Sequence, residues 1–304
     1  MLVYKDNQEV EAKTVDLSSG GNYFYILATS ELGLLDSVPD IKARIADGFN
    51  PDDCASKYEC YDGHDMFYIN IPPELQDDNS FRFMGAYISA NTVLCVYEEW
   101  EDHPYLLGII RQSMGKGMTA KKAVLSVIDD MTRDDFSVLG ALEDKIEDIE
   151  DMVTRDEVVS GVEEITALRR KIQPMKRFFE HLLDAIEDLH ENENGLFLDT
   201  DLKYASRIYG RVDRLYRNVI NLRDYITQVR EAYQSQIDIG LNNVMKTFTV
   251  ITAIFLPLTL LAGWYGMNLI MPEFDWRYGY GFVIFLSILI ITVCLIIFKK
   301  KKWY

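Results

Sequence analysis

The sequence predicts an α+β cytosolic domain followed by a long stalk helix and two transmembrane helices. Three observations carry that prediction. Strand-like aromatic and β-branched runs are confined to about the first 112 residues. From Thr119 onward the pattern is almost wholly helical. Two charge-free apolar runs then close the chain, one beginning at Thr247 and one running from Tyr278 to Phe298. A bilayer core of about 30 Å needs roughly 20 apolar residues of helix, and both runs are long enough.

Residues 1–118 form the expected α/β domain, large enough for its own core. Tyr23-Phe24-Tyr25-Ile26-Leu27, Met66 to Ile71, Thr92 to Tyr97 and Tyr105 to Ile110 read as strands, and Pro39 to Asp47 as a helix. Gly20-Gly21, Pro72-Pro73 and Asp77-Asp78-Asn79 read as turns. The stretch Ser113 to Thr119 has glycines and Lys116, but Gly117 stands where a phosphate loop needs a hydroxyl for its metal. It reads instead as entry into a helix capped near Thr119.

Residues 119–200 are an acidic helical region. Ten acids against Lys145 and Arg155 lie between Asp134 and Glu157, and seven acids without a Lys or Arg lie between Asp184 and Asp201. Like charges at i,i+4 cost helix stability, so such stretches are either solvated faces or partners of cations or of a basic counter-surface. Residues 201–246, the stalk, supply a candidate surface in Lys203, Arg207, Arg211, Arg214, Arg217, Arg223 and Arg230. Its apolar positions Ile208, Val212, Leu215, Val219, Leu222, Ile226, Val229 and Tyr233 alternate steps of four and three, a coiled-coil seam. A helix unbroken from Asp201 to Gly263 is on the order of 95 Å long at 1.5 Å per residue.

The chain's net charge is -17; five cations against two anions give residues 247–304 a net +3, leaving -20 on residues 1–246. That balance excludes broad binding of nucleic acid or anionic lipid and suits a cation-handling or merely well-solvated domain. The start MLVYKDNQEV lacks a signal-peptide layout, so the N-terminal domain is expected in the cytosol. Lys299, Lys300, Lys301 and Lys302 abut the second span, which places both termini of a multi-pass cell-membrane protein in the cytoplasm. Cys54, Cys60, Cys95 and Cys294 have neither disulfide-framework nor zinc spacing, and His64, His103, His181 and His190 do not complete a zinc set.

The C-terminal part divides into a first span (247–263), an outer loop (264–279), a second span (280–298) and a basic tail (299–304). Two helices per chain cannot enclose a water-filled path, so a pore requires several chains. Continuing the stalk seam through Asn242, Met245, Phe248, Thr249, Thr252, Leu256, Thr259 and Gly263 gives a face on which polar groups are separated by apolar levels. The threonines also have a plainer role, bonding back to their own helix. Pro257 removes one helix hydrogen bond and marks either a kink or a flexible point.

The stretch Asn242-Asn243-Val244-Met245-Lys246, Pro257-Leu258-Thr259, Ala262-Gly263, Tyr265-Gly266-Met267-Asn268 and Met271-Pro272-Glu273, with the lysine tail, resembles the CorA-type magnesium channels. The resemblance implies a CorA-like fold, a pentameric homo-oligomer in the lipid bilayer, and Mg2+ as both transported and regulatory ion. It assigns Asn268, presented by Gly266 and flanked by Met267, to a ring that holds hydrated Mg2+ at the pore mouth. A neutral carboxamide can hydrogen-bond the ion's tightly held waters without stripping them, and weak holding permits release. Glu273 and Asp275 either concentrate cations at the entrance or are plain surface charges. Regulatory magnesium in the family lies between carboxylates of neighbouring cytosolic domains; candidates here are Asp213, Asp224, Glu231 and Asp238. The expectation is therefore Mg2+ influx gated by cytosolic Mg2+. The alternatives are transport of Zn2+, Co2+ or Ni2+ on the same scaffold and a membrane-anchored coiled-coil sensor. No paired nucleophile and base or dinucleotide loop points to an enzyme.

Overall fold

Short runs of Tyr, Phe, Ile and Val fold into a mixed sheet because their stiff or bulky side chains suit a pleated surface buried on both sides. The computed structural model describes residues 1–17, 21–49, 55–75, 83–98, 104–154, 161–267 and 276–301. It divides into two units, Met1–Arg230 and Glu231–Tyr304.

The first unit holds strands β1 (Leu2–Lys5), β2 (Gln8–Val10), β3 (Tyr23–Ala28), β4 (Lys57–Tyr61), β5 (His64–Asn70), β6 (Phe83–Ser89) and β7 (Thr92–Tyr97). Their order is β2-β1-β3-β7-β6-β5-β4, with β3 and β7 parallel and the other pairs antiparallel. Asp6 and Asn7 make the β1–β2 turn with φ of 49° and 68°, the left-handed pair that a two-residue hairpin needs. One sheet face buries Tyr25, Leu27, Met66, Tyr68, Leu94 and Val96 against Leu35 and against Ile45 of helix α1 (Pro39–Gly48). On the other face Phe24, Ile26, Phe67, Ile69 and Cys95 are equally buried. Gly48 must be glycine, since a Cβ there would lie 2.2 Å from the Tyr68 ring.

Helices α2 (Pro104–Gly115), α3 (Ala120–Met131), α4 (Asp135–Thr154), α5 (Gly161–Glu191) and α6 (Asp199–Tyr265) follow. The expected strand over Tyr105–Ile110 is thus corrected to helix. Its buried positions, apolar Leu106, Ile110 and Met114 with Ser113, fall at a helical spacing that a six-residue window does not reveal. Pro104 at its first position suits a helix start. The cap at Thr119 is as expected, its side chain accepting from the Lys122 N–H at 3.2 Å.

The seam of α6 is spent inside the chain. Ile208, Val212, Leu215, Val219 and Ile226 are at most 1% exposed. Side-chain contacts tie this part of α6 to its own neighbours: Arg211 to Asp129 of α3 at 2.9 Å, Tyr216 to Glu180 of α5 at 3.2 Å, and Tyr225 to Glu150 of α4. The heptad pattern therefore records packing within one chain, and those residues cannot also join copies. Between α5 and α6, Asn194 donates to Asp65 at 2.6 Å and to the Tyr61 carbonyl at 2.7 Å, pinning the helical turn to the β4–β5 hairpin.

The second unit contains the remainder of α6 and helix α7 (Gly279–Lys300). Both helices are long and apolar enough to cross a membrane.

Candidate functional site

The apolar end of α6 has two distinct faces. Val250, Ala253, Ile254, Pro257, Leu258, Leu261 and Tyr265 are half-buried, at steps that keep them on one side of a 3.6-residue helix. Helix α7 lies on that side, where the Cys294 thiol reaches the Ala253 carbonyl at 3.8 Å. Asn242, Met245, Phe248, Thr249, Thr252, Leu256, Thr259 and Gly263 are all exposed, on the side turned away from α7. Chain chemistry alternates along this uncovered face: amide, thioether and aromatic, hydroxyls, then Leu256, then another hydroxyl.

The hydroxyl geometry joins the two roles that the sequence left open. Thr249 donates to the Met245 carbonyl at 2.7 Å and Thr259 to the Phe255 carbonyl at 2.9 Å. A hydroxyl has one proton and two lone pairs. Once the proton is committed to the helix, what faces outward is acceptor only.

Helix α6 ends at Tyr265 with a tightened turn. Gly266 N–H bonds the Ala262 carbonyl at 2.9 Å and Met267 N–H the Trp264 carbonyl at 3.4 Å. A Cβ on residue 266 would stand 2.8 Å from the Ala262 oxygen, so glycine is what lets the chain turn here. Gly266 and Met267 are exposed. Asn268, Glu273 and Asp275 lie outside the described residues. Beyond them Trp276 packs near Tyr278 and Phe282, with centroids 6.3 and 6.0 Å apart, an aromatic group of the kind that settles at a membrane interface. At the opposite end of α7, Lys299, Lys300 and Lys301 are exposed at the helix C-terminus, where cations are favoured; Lys302 lies outside the described residues.

The four candidate regulatory carboxylates differ. Asp213 is bridged by Arg217 and Asp224 by Arg223, each at 2.9 Å on the same helix. A divalent ion at either must displace a guanidinium. Glu231 and Asp238 are exposed. Among the described residues, no three His, Cys, Asp or Glu side chains converge as a metal site would require. The acidic stretch of α5 does carry electrostatic strain: the Asp188 carboxyl is pushed above its ordinary value by desolvation first and then by Glu191 and Asp184. Sequence reasoning passed over Cys294, whose relation to Pro257 is visible only when the two spans are placed side by side.

The pattern of the family described as CorA-like Mg2+ transporter protein matches residues 24–302. The cobalt/magnesium transport protein CorA of Thermotoga maritima is 30% identical over 200 residues, which span 66% of this chain and 56% of that protein. In fold, the chain is similar to the complete CorA magnesium transporter of Methanocaldococcus jannaschii, with TM-score 0.71 and 18% identity over 100% of this chain and 98% of that one. It is similar also to the full-length CmaX protein, with TM-score 0.72 and 17% identity over 99% and 97% of the two chains. With a strand-rich N-terminal domain, a long helix entering the first of two spans and Gly266-Met267 at its far end, the chain belongs to the CorA-like Mg2+ transporter family.

Proposed function

We propose that the chain is one subunit of a homopentameric channel that lets Mg2+ enter the cell down its electrochemical gradient, with both termini in the cytoplasm. The observation that carries the reading is the face of α6 turned away from α7, polar and apolar by turns, leading to the Gly266-Met267 turn. In an assembly around an axis that face lines the path, while α7 lies outside it toward lipid.

The chemistry suits a hydrated ion. Water bound to Mg2+ points its hydrogens outward, and the ion parts with that water reluctantly. Carboxamide oxygens of an Asn268 ring and the outward lone pairs of Thr249 and Thr259 accept from such hydrogens without entering the coordination sphere. Phe248, before the first hydroxyl, and Leu256, between Thr252 and Thr259, offer the waters nothing, so these apolar levels act as barriers that gate by dewetting. Cytosolic Mg2+ closes the channel by occupying sites between the acidic cytosolic domains of neighbouring subunits.

Because the Thermotoga relative is named for cobalt as well as magnesium, Co2+ is a second candidate cargo, and Ni2+ and Zn2+ complete the comparison. The test is influx into liposomes loaded with an ion-sensitive dye, run for each of the four ions on wild type and Asn268→Ala. Asn268→Ala is expected to assemble normally and to lose most Mg2+ entry. Wild-type flux from that variant removes the Asn268 ring from the mechanism.

A further inference from the structure

Proline at position 257 has no N–H, so the carbonyl four residues earlier, that of Ala253, loses its helical donor. In a hydrocarbon core such a carbonyl is expensive unless a neighbour supplies a proton. The thiol of Cys294 on α7 lies 3.8 Å from that oxygen, a sulfur donor's distance. Its choice of partner sets it apart. Thr247, Thr249, Thr259, Ser287 and Thr292 each donate to the carbonyl four residues back on their own helix, whereas Cys294 reaches across to the other. The carbonyl it reaches is the one that Pro257 deprives.

We propose that Cys294 is a positioning residue of the conduction path, its thiol holding α6 at the break made by Pro257 and thereby setting where Leu256 stands. This rests on the reading that the uncovered face of α6 lines the pore. Leu256 is Pro257's immediate neighbour and lies on the exposed face, while Pro257 and Ala253 lie on the face toward α7. Any swing of α6 about the break moves Leu256 and stretches the Cys294 bond together. A thiol is a weak donor, and a bond of that strength shifts a two-state equilibrium by about two- to five-fold. The contact therefore biases the position of the apolar level and leaves it free to change.

The test uses full-length protein in liposomes, with two readouts. The infrared S–H stretching band of Cys294, isolated as the difference between wild type and Cys294→Ala, is expected at a hydrogen-bonded frequency. Mg2+ flux is expected to change about two- to five-fold in Cys294→Ala. In a Pro257→Ala background the restored N–H bonds the Ala253 carbonyl, so adding Cys294→Ala is expected to change nothing further. A free-thiol band, an unchanged flux in Cys294→Ala, or an equal effect of that substitution with and without Pro257 each overturns the proposal. Failure of the pore reading is separable: it shows as unaltered flux in Asn268→Ala, while the thiol band reports the bond whether or not the chain conducts.

Discussion

Gly266 is fixed by a single distance. With the Ala262 oxygen 2.8 Å from where a Cβ would be, Gly266→Ala must reopen the turn that precedes Asn268. The expected outcome is normal membrane insertion with Mg2+ flux reduced at least ten-fold, read in the dye-loaded liposome assay. Asp188 yields a prediction with a sign. Its native pKa is raised, so the folded protein holds that proton more tightly than the unfolded chain does. The resulting stabilisation is fully present below the unfolded aspartate pKa, near 3.9, and is lost as pH rises through the higher native value. Above that value the charged form is disfavoured by the fold, and Asp188→Asn is expected to raise Tm in detergent by removing first its desolvation and then the like-charge pairs with Glu191 and Asp184, worth about 0.2–0.5 kcal/mol each. The gain should vanish near pH 3. A stabilisation of equal size at both pH values would mean that charge is not its source. The Gly-Met-Asn signal was legible in the sequence because it is local; Asp188 was legible only as one acid among seven, since its desolvation depends on tertiary packing.

Among the elements, helices with long periodic patterns were read more surely than short apolar runs. The strands at Tyr23, Met66 and Thr92 and the helix from Pro39 were found where expected, whereas Tyr105–Ile110 proved helical because six apolar residues fit either period. The seam of α6 was visible residue by residue, but periodicity cannot say whose surface covers it; the covering helices belong to the same chain. In the first span α7 covers the side opposite Leu256 and leaves the Leu256 side open. Leu256→Asp tests that side. Facing lipid, the carboxylate would cost on the order of 3 kcal/mol on insertion scales and deplete the protein from membranes; facing water in a pore, it should insert normally and alter conductance. Membrane fractionation with flux measurement separates the two. The hairpin anchor offers another check. Asp65 is fully buried and receives Asn194 and Tyr58. Asn194→Ala removes a hydrogen bond to a charged group and is expected to cost about 1.5–3 kcal/mol, seen as lowered Tm without change in the ion preference of the flux.

For the whole molecule, charge is the governing quantity. Carboxylates brought to about 5 Å repel by roughly 3 kcal/mol at an effective dielectric near 20 before screening, so acidic domains assembled side by side should loosen without a bridging divalent ion. Limited proteolysis of the full chain in millimolar Mg2+ and in chelator, at matched ionic strength, is expected to show faster cleavage in chelator. Equal rates would leave the acidic helices as solvated surface and remove the sensor from the mechanism. The parallel pairing of β3 with β7 has a further consequence, in time. The sheet cannot close until Tyr97 has been made, since β7 fills its centre. From Tyr97 to Thr247, where the first apolar run begins, about 150 residues remain to be synthesised, which takes roughly 8–30 s at 5–20 residues per second. That interval is long against the millisecond-to-second folding of mixed domains. The sheet can therefore finish its least local contact on the ribosome, before the apolar run from Thr247 is made.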